Sequence, residues 1–304
     1  MDQAIYPPPI KKGDTIGLIA PAGSLISRDN FTAGVQILEK NGFKVKFNRK
    51  LLNTRGYLAG SDQERADDFN KLWSDPEVKA LVAARGGYGC LRMIDLIDMK
   101  QIRKNPKILI GFSDLTILLN AIHKKTGLVT FHGPVITTLT SINRLSTKSF
   151  FDILMGTTSN KIQPAKLKIL KDGNAKGVLL GGNLTTMVHM LGTPYEIPWG
   201  QTILFIEDTG ESPYRLDRLL THLYQAGCLQ KIKGLILGTF TDDERREKSA
   251  LQKVVSERIL EIFSANNVPI WSNFSIGHSR RNLTLPVGVE VEMNSSSNML
   301  FFRK

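Results

Sequence analysis

The feature that most constrains this chain is an alternation. Short apolar, β-branched runs each end in a turn bearing glycine or proline, and most are followed by a helical pattern. A run with no polar face must be covered on both sides, which favours a parallel sheet flanked by helices. Thr15 to Ala20 runs into Pro21-Ala22-Gly23-Ser24, and Asn30 to Asn41 reads as a helix closed by Gly42. Lys44 to Phe47 is a second strand. Ser61-Asp62-Gln63-Glu64 matches a capping box and opens a helix that runs to about Trp73. Val78 to Ala84, Lys107 to Gly111 and Leu128 to Phe131 complete the first set of strands.

Between Thr157 and Asn174 the pattern loosens into Thr, Ser, Lys, Pro and Gly, a composition shift that suggests a boundary. The expected organisation is an N-terminal α/β domain over 1–160, a linker over 161–175 and a smaller, β-rich α/β domain over 176–304. A length of 304 residues suits two domains. In the second half, strands are expected at Gly177 to Leu180, Thr202 to Glu207, Gly234 to Leu237 and Val287 to Met293. Helices are expected at Asn183 to Leu191, Pro213 to Ala226 and Leu251 to Asn266. Ser212 is placed to cap the second of these, with Pro213 at its first position. Leu216, Leu219, Leu220 and Leu223 then recur at one helical face.

A composition of 41% hydrophobic and 22% charged residues excludes a disordered chain. Cys90 and Cys228 supply neither a disulfide framework nor a C-x-x-C pair, which fits a reducing cytoplasm. The N-terminal segment has no apolar signal region, and no apolar run reaches the length of a transmembrane helix. The formal charge of +12 invites a nucleic-acid reading. However, the basic residues are dispersed, no stripe interleaves them with aromatics, and no zinc-finger, RRM or P-loop signature is present. An acidic substrate accounts for the charge as well, and so does a plainly solvated surface. Neither a nucleic-acid nor a membrane partner is expected.

The richest stretch chemically is Ile108 to Thr116. A buried strand ends at Gly111 and a helix begins almost at once, marked by Leu115, Leu118, Leu119 and Ile122. Ser113 therefore sits on a tight strand-to-helix turn, beside N–H groups and positive helix dipole suited to a developing oxyanion. The pattern is like the G-x-S-x-G nucleophile elbow, with Leu115 in place of the second glycine. Ser113 serves equally well as a helix cap, and the motif alone divides the two readings evenly. Arg85-Gly86-Gly87-Tyr88-Gly89 also follows a strand; it is either a tight turn or a place where backbone N–H groups approach a ligand. The spacing is not that of a dinucleotide fingerprint.

A nucleophilic serine needs a base and the base an orienting acid. His123 and His222 fall in amphipathic helices, His189 follows Gly181-Gly182-Asn183, and His132 ends a strand before Gly133-Pro134. His278 lies in a polar loop, Ile276 to Asn282, where catalytic residues concentrate. For the acid, Ile203 to Ile206 runs straight into Glu207-Asp208-Thr209-Gly210-Glu211. Glu207 closes the strand itself, whereas Asp208 and Glu211 suit capping of the turn and the helix after it. No metal-ligand spacing accompanies them.

These pieces together resemble the LD-carboxypeptidases, serine peptidases that include murein tetrapeptide carboxypeptidase and the microcin C immunity peptidases. The resemblance runs through Gly17 to Gly23, Arg85 to Gly89, Gly111 to Asp114, Phe131 to Pro134, Gly181 to Leu184, Glu207 to Glu211 and Gly277-His278. It implies a Ser–His–Glu triad of Ser113, His278 and Glu207, and an oxyanion hole from the backbone N–H groups of Asp114 and Gly87. It also implies a Rossmann-like or flavodoxin-like N-terminal domain carrying the serine, and a C-terminal domain carrying Glu207 and His278. No cofactor and no metal are implied; a homodimer is. Under this resemblance the expected activity is release of the terminal D-alanine from murein tetrapeptides in cytoplasmic cell-wall recycling. Arg85, Gly86 and Tyr88 are candidate substrate contacts. The alternative within the family is an immunity peptidase acting on peptidyl or aminoacyl nucleotide analogues. The stretch Gly238 to Ser249 is short, charged and lacks Trp for stacking a nucleobase, which favours murein. Outside the family stands a non-catalytic two-lobed binding protein, against which a complete triad argues.

Overall fold

The computed structural model describes residues 4–241 and 248–303. It divides into two compact units, Met1–Thr158 with Leu283–Pro286, and Ser159–Asn282 with Val287–Lys304. Both are mixed α/β.

The first unit is built on β1 (Thr15–Ile19), β2 (Lys44–Lys46), β3 (Val78–Ala83), β4 (Ile108–Gly111) and β5 (Thr130–His132). These pair in parallel in the order β5-β4-β3-β1-β2. That is the flavodoxin-like order, as expected from alternating strands and helices. All of β4 is buried, and β3 is buried except at Lys79. The covering and connecting helices are α1 (Arg28–Lys40), α2 (Asp62–Ser74), α3 (Cys90–Met93), α4 (Met99–Lys104), α5 (Thr116–Thr126) and α6 (Arg144–Met155). The capping box at Ser61 and Glu64 forms in full at the start of α2. Chain order reverses between β1 and β3; at such a switch point an open parallel sheet leaves a crevice at the carboxyl ends of its strands. The loops after β1 and β3 therefore bound the natural place for a site.

The second unit holds an eight-stranded sheet. Its parallel centre is β8 (Asn174–Asn183), β9 (Thr202–Thr209), β10 (Gly234–Thr241) and β11 (Ile270–Ser272). The stretch 161–175, expected as a linker, instead supplies β6 (Lys161–Ile162), β7 (Lys168–Lys171) and the first residues of β8. β7 adds antiparallel to β11 at one edge, and β6 to β14 (Met299–Phe302) at the other. Short, polar edge strands carry no apolar run, so their sequence looks like loop. The single strand expected over Val287 to Met293 is two: β12 (Leu285–Val287), in the order of the first sheet, and β13 (Glu290–Asn294), in the second. Gly288, at φ +91°, makes the break.

Helices of the second unit are α7 (Leu184–Val188), α8 (Pro213–Gln225) and α9 (Lys248–Ile262). Leu216, Leu220 and Leu223 of α8 are buried, as their spacing requires. Ser212 is the N-cap residue of α8, yet its hydroxyl makes no capping bond. α7 is shorter than its sequence suggested.

Gly181 in β8 lies at φ +144°, and a Cβ there would come 1.9 Å from the Phe205 carbonyl oxygen on β9. Backbone cannot yield as a side-chain tip can. Gly181→Ala is expected to cost about 3 kcal/mol or more. A thermal melt of the purified variant should then show the midpoint lower by roughly 6–12 °C; an unchanged midpoint would refute the packing argument.

Candidate active site

In the first unit, three loops meet at the carboxyl ends of β1, β3 and β4. After β4, Ser113 to Leu115 make one turn of 3-10 helix that leads directly into α5. Neither turn begins with a side-chain cap, so the Ser113 hydroxyl is not the helix cap that the sequence alone allowed. Ser113 lies at φ +65°, a conformation that costs an L-residue with a Cβ roughly 1–2 kcal/mol. Strain of this kind persists where the fold overdetermines it, commonly at functional positions. The missing second glycine of the elbow also has an explanation. A Cβ on Gly111 would meet Leu115 Cδ2 at 2.3 Å, so the bulk that the elbow pattern excludes at position 115 is accommodated by the glycine at 111.

Gly86 forms a wall of the same site. A Cβ on it would come 2.7 Å from Ser113 Cβ and 3.0 Å from Oγ, so its backbone lies directly against the hydroxyl. The neighbouring Gly87 adopts φ +119° and packs on Gly23, whose N–H donates to the Gly86 carbonyl at 3.1 Å. The Asp114 N–H belongs to the first turn of a helix, where N–H groups have no partner within the helix. The Asp114 carboxylate is buried and accepts the Cys90 N–H at 2.7 Å, tying the serine turn to the loop after β3. Burial raises its pKa. Buried Arg65, unremarked in the sequence, fastens the same loop by donating to the Gly89 carbonyl at 3.0 Å and to the Pro21 carbonyl. Nothing in the sequence singles it out, because only the fold turns this one charged residue of α2 inward beside Ala66 and Phe69. Arg85 is half-buried and donates to the Ser24 carbonyl at 2.6 Å, and Tyr88 is exposed.

The second unit holds the other candidates. Glu207, near the end of β9, is fully buried. Its Oε2 accepts from His278 Nδ1 at 2.7 Å and from the His278 backbone N–H at 3.2 Å. With Nδ1–H donating to the carboxylate, the ring lone pair lies on Nε2. Two glycines make room for this carboxylate. A Cβ on Gly277, at φ +100°, would lie 2.5 Å from Glu207 Oε2, and one on Gly238 would lie 3.0 Å from Glu207 Cβ. The Gly277 N–H in turn donates to buried Asn282 at 3.1 Å, which fixes the loop carrying His278.

Asp208 does not cap the helix after it. Its carboxylate accepts from Asn183 Nδ2 at 2.8 Å, from Thr185 N–H at 2.9 Å and from the Thr185 hydroxyl at 2.8 Å, so it anchors the start of α7. Burial first, and the charge of Glu207 second, push its pKa up to about 6. Glu211 precedes α8 and pairs with Arg215 of that helix at 3.7 Å.

The other histidines are placed elsewhere. His132 is fully buried edge-on to Phe112, and His123 is directed by Nδ1 to the Leu128 carbonyl at 3.2 Å, with burial lowering its pKa. His189 and His222 are exposed. Among the described residues there is no cluster of three or more His, Cys, Asp or Glu arranged to hold a metal, and no helix long and apolar enough to cross a membrane. Half of the charged stretch Gly238 to Ser249, residues 242–247, lies outside the described residues.

Comparison with known proteins agrees over both units. Residues 16–133 match the LD-carboxypeptidase N-terminal domain and residues 176–293 the LD-carboxypeptidase C-terminal domain. A probable murein peptide carboxypeptidase of Bacillus subtilis is 40% identical over 299 residues, covering 95% of this chain and 92% of that one. The murein tetrapeptide carboxypeptidase of Pseudomonas aeruginosa is 32% identical over 286 residues, covering 90% and 91%. Among solved structures, an MccF-like protein from Bacillus anthracis superposes with a TM-score of 0.89 at 27% identity, covering 99% of this chain and 100% of that chain. The chain belongs to the LD-carboxypeptidase family, and is a serine peptidase of that family.

Proposed function

We propose that this protein is a murein tetrapeptide LD-carboxypeptidase that removes the terminal D-alanine in recycling of cell-wall peptides in the cytoplasm. Ser113 Oγ attacks the carbonyl between the L-centre of the third residue and D-alanine. His278 Nε2 takes the hydroxyl proton and returns it to the leaving amine, and Glu207 holds the ring in the tautomer that permits both transfers. The N–H groups of Asp114 and Gly87 receive the oxyanion. Water then attacks the acyl-enzyme by the same route in reverse. The observation that supports this most is the 2.7 Å contact between fully buried Glu207 and His278 Nδ1, which leaves the ring lone pair on Nε2. The substrate class rests on the names of the relatives and on the basic balance of the chain, which suits a peptide bearing several carboxylates.

The test is D-alanine release from murein tetrapeptide, free and disaccharide-linked, with and without EDTA. Release that is unchanged by the chelator is expected. Absence of release, with turnover of an aminoacyl-sulfamoyl adenosine instead, would replace this reading with the immunity-peptidase alternative, toward which the likeness to an MccF-like protein points.

A further inference from the structure

From the loop that touches Ser113, two tyrosines lead toward a separate hollow. Gly86 touches Ser113, and two residues on, the Tyr88 ring lies 5.8 Å from that of Tyr57. Both rings are solvent-exposed, at 52% and 64%. The Tyr57 carbonyl accepts from Ser24 N–H at 3.1 Å, and the Ser24 carbonyl holds Arg85, so Tyr57 is fixed to the same loops that surround the serine. Beyond the tyrosines opens a pocket of about 340 Å³ lined by Arg55, Tyr57, Leu58, Ser61, Asp62 and Arg92.

Its charge is positive. Asp62 is shared: one carboxylate oxygen binds buried Arg65, and the other accepts from Arg92 Nε at 3.1 Å and Nη2 at 3.0 Å. Asp62 thus pairs with both Arg65 and Arg92, and the pocket lining of Arg55, Arg92 and Asp62 keeps one positive charge in excess. Asp62 also holds Arg92 in place. Glu64 caps α2 through Ser61 and faces the charges of both Lys50 and Arg55. Two arginines with one preset by a carboxylate, reached across exposed tyrosine rings, make an anion site with an aromatic approach. Arg85, on the loop whose Gly86 touches the serine, is engaged by Ser24 and does not fill this role.

We propose that this pocket is a subsite for a carboxylate on the acyl side of the substrate, upstream of the scissile bond, with the Tyr57 and Tyr88 rings bridging it to Ser113. The proposal rests on the carboxypeptidase reading, in which the departing D-alanine is small and any extended recognition must fall on the acyl side.

The test uses two synthetic acyl-D-alanine peptides, identical except for a free carboxylate or a carboxamide two residues upstream of the scissile bond. Wild type is expected to favour the carboxylate about tenfold in kcat/KM, through KM, as one charge-assisted contact allows. In the Arg55→Ala/Arg92→Ala double variant that ratio should fall toward one. A Lys148→Ala/Lys253→Ala variant, which removes two exposed charges elsewhere, should retain it. A ratio near one in wild type, or one unchanged in the arginine variant, overturns the proposal. Should wild type cleave neither peptide, the carboxypeptidase reading fails. Calorimetric binding of the same pair to wild type and to the arginine variant then decides the subsite by itself: loss of discrimination in the variant supports it, and equal binding of both peptides by wild type overturns it.

Discussion

Replacing Ser113 by alanine is expected to lower D-alanine release by about 10⁴-fold or more, with no loss of stability. A hydroxyl that merely caps α5 would give the opposite result, near-normal turnover and a loss of about 1 kcal/mol. The two roles separate further with Ser113→Gly. Glycine accepts φ +65° without the Cβ conflict, so this variant should be equally inactive yet more stable by about 1 kcal/mol. A calorimetric midpoint above that of the alanine variant, beside a rate lowered about 10⁴-fold in both, is the expected pair of results. Turnover near that of wild type in Ser113→Ala would remove the serine from the chemistry altogether.

Glu207→Gln is the second large effect. The amide matches the carboxylate in size, and its oxygen in the place of Oε2 accepts from both the His278 backbone N–H and Nδ1–H, as the carboxylate does. It carries no negative charge, however, so it no longer stabilises the imidazolium that forms when His278 takes the proton from serine. Turnover should fall about 10³- to 10⁴-fold while KM changes little. A far smaller drop would mean that Glu207 only fills space behind the loop. Because the carboxylate is fully buried, a correctly folded variant should be verified by an unchanged near-ultraviolet spectrum.

Much of the first unit is legible in the sequence because its strands and helices are long, periodic and bounded by turn residues. The edges of the second sheet are not. Lys161–Ile162 and Lys168–Lys171 are short and polar, and they become strands only because exposed edges of β14 and β11 offer them backbone partners. A similar limit applies to Ser212, placed correctly before α8 but without its capping bond. Local preference sets where a helix begins; the surrounding backbone decides which hydroxyl is used.

The site divides along the same line. By itself the amino-acid order determined the parallel α/β core, the strand-to-helix turn at Ser113, and the strand that delivers Glu207 to a sheet edge, since each depends on neighbours within a few residues. Only the tertiary structure decided that Glu207 meets His278 across 71 positions of sequence, that Gly86 lies against Ser113, and that Asp208 turns back to Asn183 and Thr185. It also decided that Arg85 is held by Ser24, while Arg55 and Arg92 line an accessible pocket. Periodicity records which face of an element is buried, but contact between distant segments depends on strand order and crossover, and these are set by packing of the whole chain.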